Sequence, residues 1–370
     1  MSELPRSTDL FVIGGGPGGL AAAIAARRRG MDVTVADHAV PPIDKACGEG
    51  IMPDGVAAAE ALGIDLRTAS PRAFRGIRFC EGEESVAASF PEGHGYGLRR
   101  IALHNLMVEH ARSLGVRMAW GVHIEGLRPE GVAVAGELVR AGWVVGADGG
   151  RSNVRAWAGL DAARRDSRRF GFRRHYRMAP WTDYMEIHWA DGCQLYITPV
   201  AEDEVCVVLI SRDPRLRLDA ALPRFPQVAR RLRDAEGAPE RGGVSASRRL
   251  KAVCRGRVAL LGDASGSVDA ITGEGLCLLF QQAVSLAEAI EARDLELYQA
   301  AHRRIGRRPE FMADLMLMLE NRGRLRRRSL RAMASDPRLF ARMLAMHVGR
   351  LSSLDFLTNG LAFGRRLLTL

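Results

Sequence analysis

Five glycines fall within six residues at Gly14-Gly15-Gly16-Pro17-Gly18-Gly19. The apolar run Leu10-Phe11-Val12-Ile13 precedes them, and Leu20-Ala21-Ala22-Ala23-Ile24-Ala25-Ala26 follows. Strand, glycine turn and helix in that order place a dinucleotide pyrophosphate on backbone N–H groups at a helix start. Gly14, Gly16 and Gly19 fill the G-x-G-x-x-G spacing: the first for the tight turn, the second for close approach of phosphate, the third for helix–strand packing. Asp37 closes the next apolar run, Val33-Thr34-Val35-Ala36, 23 residues after Gly14. That offset suits an acid that binds ribose.

The 370 residues exceed one small core, and two intertwined domains are expected. No secretory signal or membrane span is read in the first apolar stretch, which is short and broken by glycine. Six scattered cysteines form no C-x-x-C pair, so neither zinc nor a disulfide framework is suggested, and a reducing cytoplasm is the expected location. The net charge of +10 is unevenly spread. Residues 301–370 hold 15 arginines and 5 acids, so the first 300 residues sum to zero. Such a tail reads as a solvated helical face, or as a peripheral contact with anionic lipid. A nucleic-acid partner is not expected.

Segments 10–37 read as strand, helix, strand, and 38–54 as an irregular loop. Residues 54–62 read as helix, 74–79 and 85–90 as short strands. Ile101 to Leu114 has helical spacing, with Leu103, Met107, Ala111 and Leu114 on one face. Val116–Leu127 and Val132–Val145 read as strands. Residues 184–211 alternate and turn twice, a three-strand antiparallel meander belonging to a second sheet. Arg257 to Asp263 returns to the first sheet, a helix follows at 275–292, and the remainder is helical, with Met312, Leu315, Met316 and Leu319 in an apolar stripe. The arginine run Arg168-Arg169, Arg173-Arg174 and Arg177 reads as a solvated face, or as a greeting for an NADPH phosphate.

Two further motifs end strands: Gly146-Ala147-Asp148-Gly149 and Gly262-Asp263-Ala264, the latter running on to Thr272-Gly273-Glu274-Gly275-Leu276. Separations of about 130 and 115 residues put three strand ends on one extended ligand. With these motifs in this order, residues 8–292 resemble the FAD-dependent oxidoreductases of the p-hydroxybenzoate hydroxylase and geranylgeranyl reductase superfamily. The resemblance implies an α/β fold with an α+β insert: a Rossmann-like FAD-binding domain (1–73, 98–160 and 250–294), an inserted antiparallel-sheet substrate domain (74–97 and 161–249), and a basic helical C-terminal region (295–370).

It also implies roles. Asp263 would hold the ribityl chain of FAD, Asp148 the pyrophosphate region, and Arg100 would head the R-x-x-L helix with Leu103. The loop Lys45-Ala46-Cys47-Gly48-Glu49-Gly50 would wrap one side of the flavin, with Cys47 as a space-filler. Gly273, Gly275 and Leu276 would aim a helix N-terminus at the isoalloxazine, with Ala270 standing where the family has proline. NADH or NADPH would visit as transient electron donor. The first activity implied is O2-dependent hydroxylation of an aromatic or lipophilic phenolic substrate through a flavin hydroperoxide. His175, His188 or Tyr196 are its candidate catalytic groups. They sit near Trp181, Tyr184 and Trp189 in an aromatic sheet. The alternative is saturation of isoprenoid double bonds. A halogenase is demoted because G-W-x-W-x-I-P is missing, and a flavoprotein partner of another polypeptide ranks lowest.

Overall fold

The computed structural model describes residues 4–351. The chain runs β1 (Ser7–Ile13), α1 (Pro17–Arg27), β2 (Val33–Asp37), α2 (Pro53–Ala61), β3 (Gly76–Glu81), β4 (Glu84–Ser89), α3 (Arg100–Ser113), β5 (Arg117–Trp120), β6 (Ile124–Arg128), β7 (Gly131–Val134) and β8 (Glu137–Gly146). It continues through α4 (Asn153–Trp157), β9 (Ala163–Arg177), β10 (Met185–Ala190), β11 (Cys193–Pro199), β12 (Glu204–Ser211), β13 (Arg241–Leu250), β14 (Cys254–Arg255) and β15 (Val258–Leu260). Four helices close it: α5 (Gly275–Glu291), α6 (Leu295–Asn321), α7 (Gly323–Ser335) and α8 (Pro337–His347). The part of the basic C-terminal region beyond residue 351 lies outside the described residues.

The first sheet has the order β14-β15-β8-β1-β2-β5. Its central strands β15, β8, β1, β2 and β5 are parallel, so their apolar residues are covered on both faces. On one face α1 packs against α3 and α5, burying Leu20, Ile24, Leu103, Met107, Phe280 and Ala283. On the other, the antiparallel strands β6 and β7 fold back onto β8 and bury Val132, Val134, Val139 and Val144. From β1 the chain winds one way through β2 and β5, then returns to β8 on the other side. The crevice between β1 and β8 is therefore a topological switch point.

The stretches 116–127 and 132–145 are each two strands rather than one. The backbone turns at Gly121 (φ 70°) and at Ala135-Gly136 (φ 50° and 82°), where an extended ladder cannot continue.

The meander β10-β11-β12 belongs to a second sheet of eight strands, extended by β3 and β4 on one side and by β9, β13 and the short strand Glu236–Gly237 on the other. The arginine run lies in the long strand β9. Arg168 and Arg177 are exposed, as a solvated face would have them, but two members of the run turn inward: Arg169 is 2% exposed and Arg173 3%. Each is held by buried acids. Arg169 meets Asp269 at 2.5 Å and Glu320 at 2.6 Å. Arg173 meets Asp44 at 2.9 Å and Glu49 at 3.0 Å.

The C-terminal helices are packed against the body. Met312, Met316 and Leu319 of the apolar stripe are buried. Phe340 of α8 packs against Phe79 of β3, the rings tilted and their centroids 4.8 Å apart. Several tail arginines answer acids of the body: Arg308 with Asp54, Arg326 with Glu81 and Asp191, Arg331 with Glu84, and Arg350 with Glu92. Among the described residues no helix is long and apolar enough to cross a membrane.

Arg326 and Arg331 make a matched pair for testing how the tail is fixed. Arg326 is buried, bonded to both oxygens of Glu81 at 2.8 and 2.9 Å, and lies over Trp189. Arg331 is exposed, and its bond to Glu84 faces water. Arg326→Met should cost about 2–3 kcal/mol in chemical denaturation, because it leaves the largely buried Glu81 carboxylate with only the 3.6 Å contact to Arg327. Arg331→Met should cost far less, because its exposed ion pair is screened by water. Equal costs would mean that α7 is not anchored through Arg326.

Candidate flavin site

At the carboxyl end of β1 the backbone turns at Gly14 (φ 110°), whose N–H donates to Ala36 O at 2.8 Å. A Cβ there would stand 2.4 Å from Ala147 O, and one on Gly19 would stand 1.7 Å from Gly14 O. Only glycines let β1, β8 and α1 meet this closely. Gly16 is different: its Cβ position meets nothing nearer than Arg100 Nη2 at 3.9 Å. Gly16 precedes α1, whose first N–H groups receive no side-chain cap. Their partial positive charge is left for an anion.

Asp37 ties this turn to β2. One carboxylate oxygen accepts from Gly15 N at 2.6 Å, the other from Ala39 N at 2.8 Å. Arg100 opens α3 and is buried, with Nη1 lacking any partner and its backbone N–H bonded to Glu49 Oε1. A buried guanidinium with Nη1 unsatisfied and Nη2 beside Gly16 fits a phosphate. Asp148 follows β8. One of its oxygens caps α4 through Asn153 N (2.7 Å) and Val154 N (3.1 Å), and the other is buried without a partner. Asp263 follows β15 and accepts from Lys45 Nζ at 2.7 Å.

These groups line one cavity of about 410 Å3, together with the loop 45–50 and the segment 266–279. Gly48, Gly149, Gly262, Gly273 and Gly275 all border it, and a Cβ on any of them would meet nothing within 4 Å. Bare backbone thus faces open space along the whole length of the cleft. Gly273 (φ 69°) ends a short turn whose first residue, Asp269, accepts from Ile271 N, and Leu276 enters α5 directly afterwards. The uncapped N-terminus of this 17-residue helix points positive charge at the cavity. Anion donors at one end, a ribose-side acid and flat glycine walls fit FAD.

Glu49, at φ 59° and 1% exposed, is the hub beneath the loop. Its Oε1 accepts from Arg100 N and from Arg173 Nη1 at 3.0 Å, and its Oε2 meets His175 Nε2 at 2.6 Å. Burial pushes the Asp44 carboxyl up, but the hydrogen bonds and charge of Arg173 outweigh it and hold the group below its usual range. Glu49, His175 and Cys206 bring ligand atoms within 4.8 Å of one another. Arg173 and His175 already fill the carboxylate, so a cation would have to displace them. Cys47 borders the cavity; burial pushes its thiol up, so it stays protonated and unreactive.

Of the three candidate catalytic side chains, Tyr196 alone lines the cavity. Its hydroxyl donates to Ile271 O, and burial drives the phenol far above its ordinary range. His175 is turned to Glu49. His188 bonds Glu186 at 2.9 Å, an acid also held by Arg78 and Trp181. The other aromatics of the meander lie elsewhere: Trp189 against Phe79 and Arg326, Tyr184 under Arg75, Trp181 under Arg231. The helices α7 and α8 cover the sheet at β4 and around Trp189. The individual roles of Glu49 and Glu274 were not read from the sequence, although each is an acid set between glycines, in Gly48-Glu49-Gly50 and Gly273-Glu274-Gly275.

The sequence profile of a family described as "FAD binding domain" matches residues 7–296. The chain belongs to that family. It is an FAD-dependent oxidoreductase, with the mixed α/β architecture that the motifs imply. A menaquinone reductase of Mycobacterium tuberculosis is 30% identical over 323 residues, covering 78% of each chain. A 3-hydroxybenzoate 6-hydroxylase of Polaromonas naphthalenivorans is 26% identical over 343 residues, covering 81% of this chain and 84% of that protein. Among solved structures, a geranylgeranyl bacteriochlorophyll reductase-like protein of Thermoplasma acidophilum shares the fold. Its TM-score is 0.75 with 20% identity, over 98% of each chain.

Asp263 is half-exposed with a half-exposed partner, so Asp263→Ala should change unfolding free energy by less than about 1 kcal/mol. As a group that would hydrogen-bond bound FAD, Asp263 should on removal weaken FAD binding about 10- to 100-fold, measured by fluorescence quenching. Undiminished affinity would remove Asp263 from the site.

Proposed function

We propose that the protein reduces an isoprenoid carbon–carbon double bond of a lipophilic substrate, with NADH or NADPH as transient electron donor. One observation carries this reading. The substrate side of the cavity is formed by Met185, Val208, Ile210, Val244, Leu276 and Leu279, while both candidate imidazoles are held elsewhere by carboxylates. An apolar wall suits a hydrocarbon chain. A phenol would call for a base at its hydroxyl.

FAD, when bound and reduced, supplies a hydride. The chain's own residues do the rest. Arg100, the α1 N-terminus and Asp37 anchor the nucleotide end, and Asp263 with Lys45 fixes the middle. The loop 45–50, braced by Glu49, Arg173 and Asp44, closes one face. The apolar wall excludes water and lays the alkene along the opposite face. The similarity to a menaquinone reductase over most of both chains supports the same class of substrate. A peripheral contact between the basic C-terminal helices and anionic lipid would bring such a molecule to the cavity.

Hydroxylation of a lipophilic aromatic is the second reading, favoured by the likeness to 3-hydroxybenzoate 6-hydroxylase. The two separate in one experiment. FAD-loaded protein is given NADPH or NADH and a polyprenyl quinone, with and without oxygen, and products are weighed by mass spectrometry. The reductase reading expects anaerobic turnover and a product richer by two hydrogens. Turnover that needs oxygen and adds an oxygen atom would overturn it in favour of hydroxylation.

A further inference from the structure

Glu274 borders the cavity directly before α5, yet its side chain caps none of that helix's N–H groups. It is 3% exposed. One carboxyl oxygen has no partner. The other faces Arg308 Nη2 and His347 Nδ1, each at 3.8 Å, beyond hydrogen-bond range. Arg308 is committed instead to Asp54 at 2.8 Å. Both ring nitrogens of His347 are likewise buried without a partner. Among the described residues, the titratable and charged groups facing Glu274 are Asp54 from α2, Cys277 from α5, Arg308 from α6 and His347 from α8.

Thr272 offers the carboxyl a hydrogen bond, but one oxygen stays buried with none; a buried carboxylate so poorly satisfied is costly, whereas a neutral carboxyl is tolerated. We propose that Glu274 bears the proton of this site and donates it to the substrate as the hydride arrives. This inference rests on the reductase reading. In the step, the π bond of the alkene breaks and two C–H bonds form. One takes the hydride, the other the Glu274 proton, and the electron pair of the O–H bond stays on the carboxylate. Arg308 faces that carboxylate until water returns a proton. The electrostatics agree. Burial pushes the Glu274 carboxyl up to about 8 against a partial pull from Arg308, and pushes His347 down to about 4, leaving the imidazole neutral.

The sign of the pH dependence follows. Folded Glu274 keeps a proton that the unfolded chain releases above about 4.5, so this residue's contribution to stability is full at low pH and fades as pH rises towards about 8. Glu274→Gln removes that slope. Relative to the parent, the variant should gain stability as pH rises through this window.

The test has an arm that needs neither flavin nor substrate. Infrared difference spectra of the apoprotein should show the carbonyl stretch of a protonated carboxylic acid at pH 6, lost above about pH 8 and missing in Glu274→Gln. Arg308→Gln removes the cation that favours ionisation, so the band should persist to higher pH. A parent protein with no such band, or a band that survives in Glu274→Gln, overturns the proposal. In the loaded enzyme, Glu274→Gln should bind FAD as the parent does and lose at least about 100-fold in alkene reduction. Unchanged reduction with an unchanged pH profile would also overturn it. If no prenyl substrate is reduced by the parent, the reductase reading fails by itself, and the infrared arm still decides whether Glu274 holds a proton.

Discussion

The architecture turns on how closely three pieces of backbone approach at the end of β1. Gly19 sits against Gly14 O, and Gly14 against Ala147 O, with no room for a side chain at either glycine. That contact locks α1 onto β1 and sets β8 beside it. It thereby creates the crevice at the switch point and aims the α1 N-terminus into it. A methyl group at Gly19 would push backbone against backbone, with no flexible side chain to yield. Everything downstream, from the orphaned Arg100 nitrogen to the placement of Asp148, inherits its position from this junction.

The far wall is set by a different force. Two arginines of β9 reach inward rather than out. Arg169 joins Asp269, beside the α5 entry, to Glu320 near the end of α6, and Arg173 joins Asp44 to Glu49 under the loop. Burying such charges is costly unless every partner is present. The pairs therefore act as a geometric lock, since any register shift of β9 would leave carboxylates stranded. This is how an inserted sheet and a C-terminal helix come to shape a cavity built on the first sheet.

Much of this was legible in the sequence. The glycine turn, the strand-end acids at Asp148 and Asp263 and the helix after Gly273 are local signals, because each is dictated by residues within one turn or strand. So is the meander, whose alternation over 184–211 gives the strands their faces. The buried role of Arg169 and Arg173 was not legible, because it depends on acids 151 and 129 residues away. A strand rich in arginine reads as solvated until those partners are seen. His175 is the same case, since its partner Glu49 lies 126 residues upstream. The aromatics of the meander were legible as residues but not as a site, because which of them face the cavity is decided by helices packed over the sheet.

The central claim is that one extended cofactor is gripped by three strand ends across the β1–β8 crevice. Its most direct test is titration of the purified, folded apoprotein with FAD, followed by absorbance and by the protein-to-flavin ratio. Saturation is expected at one FAD per chain, with a perturbed flavin spectrum. Folded protein that stays colourless through the titration would contradict that claim.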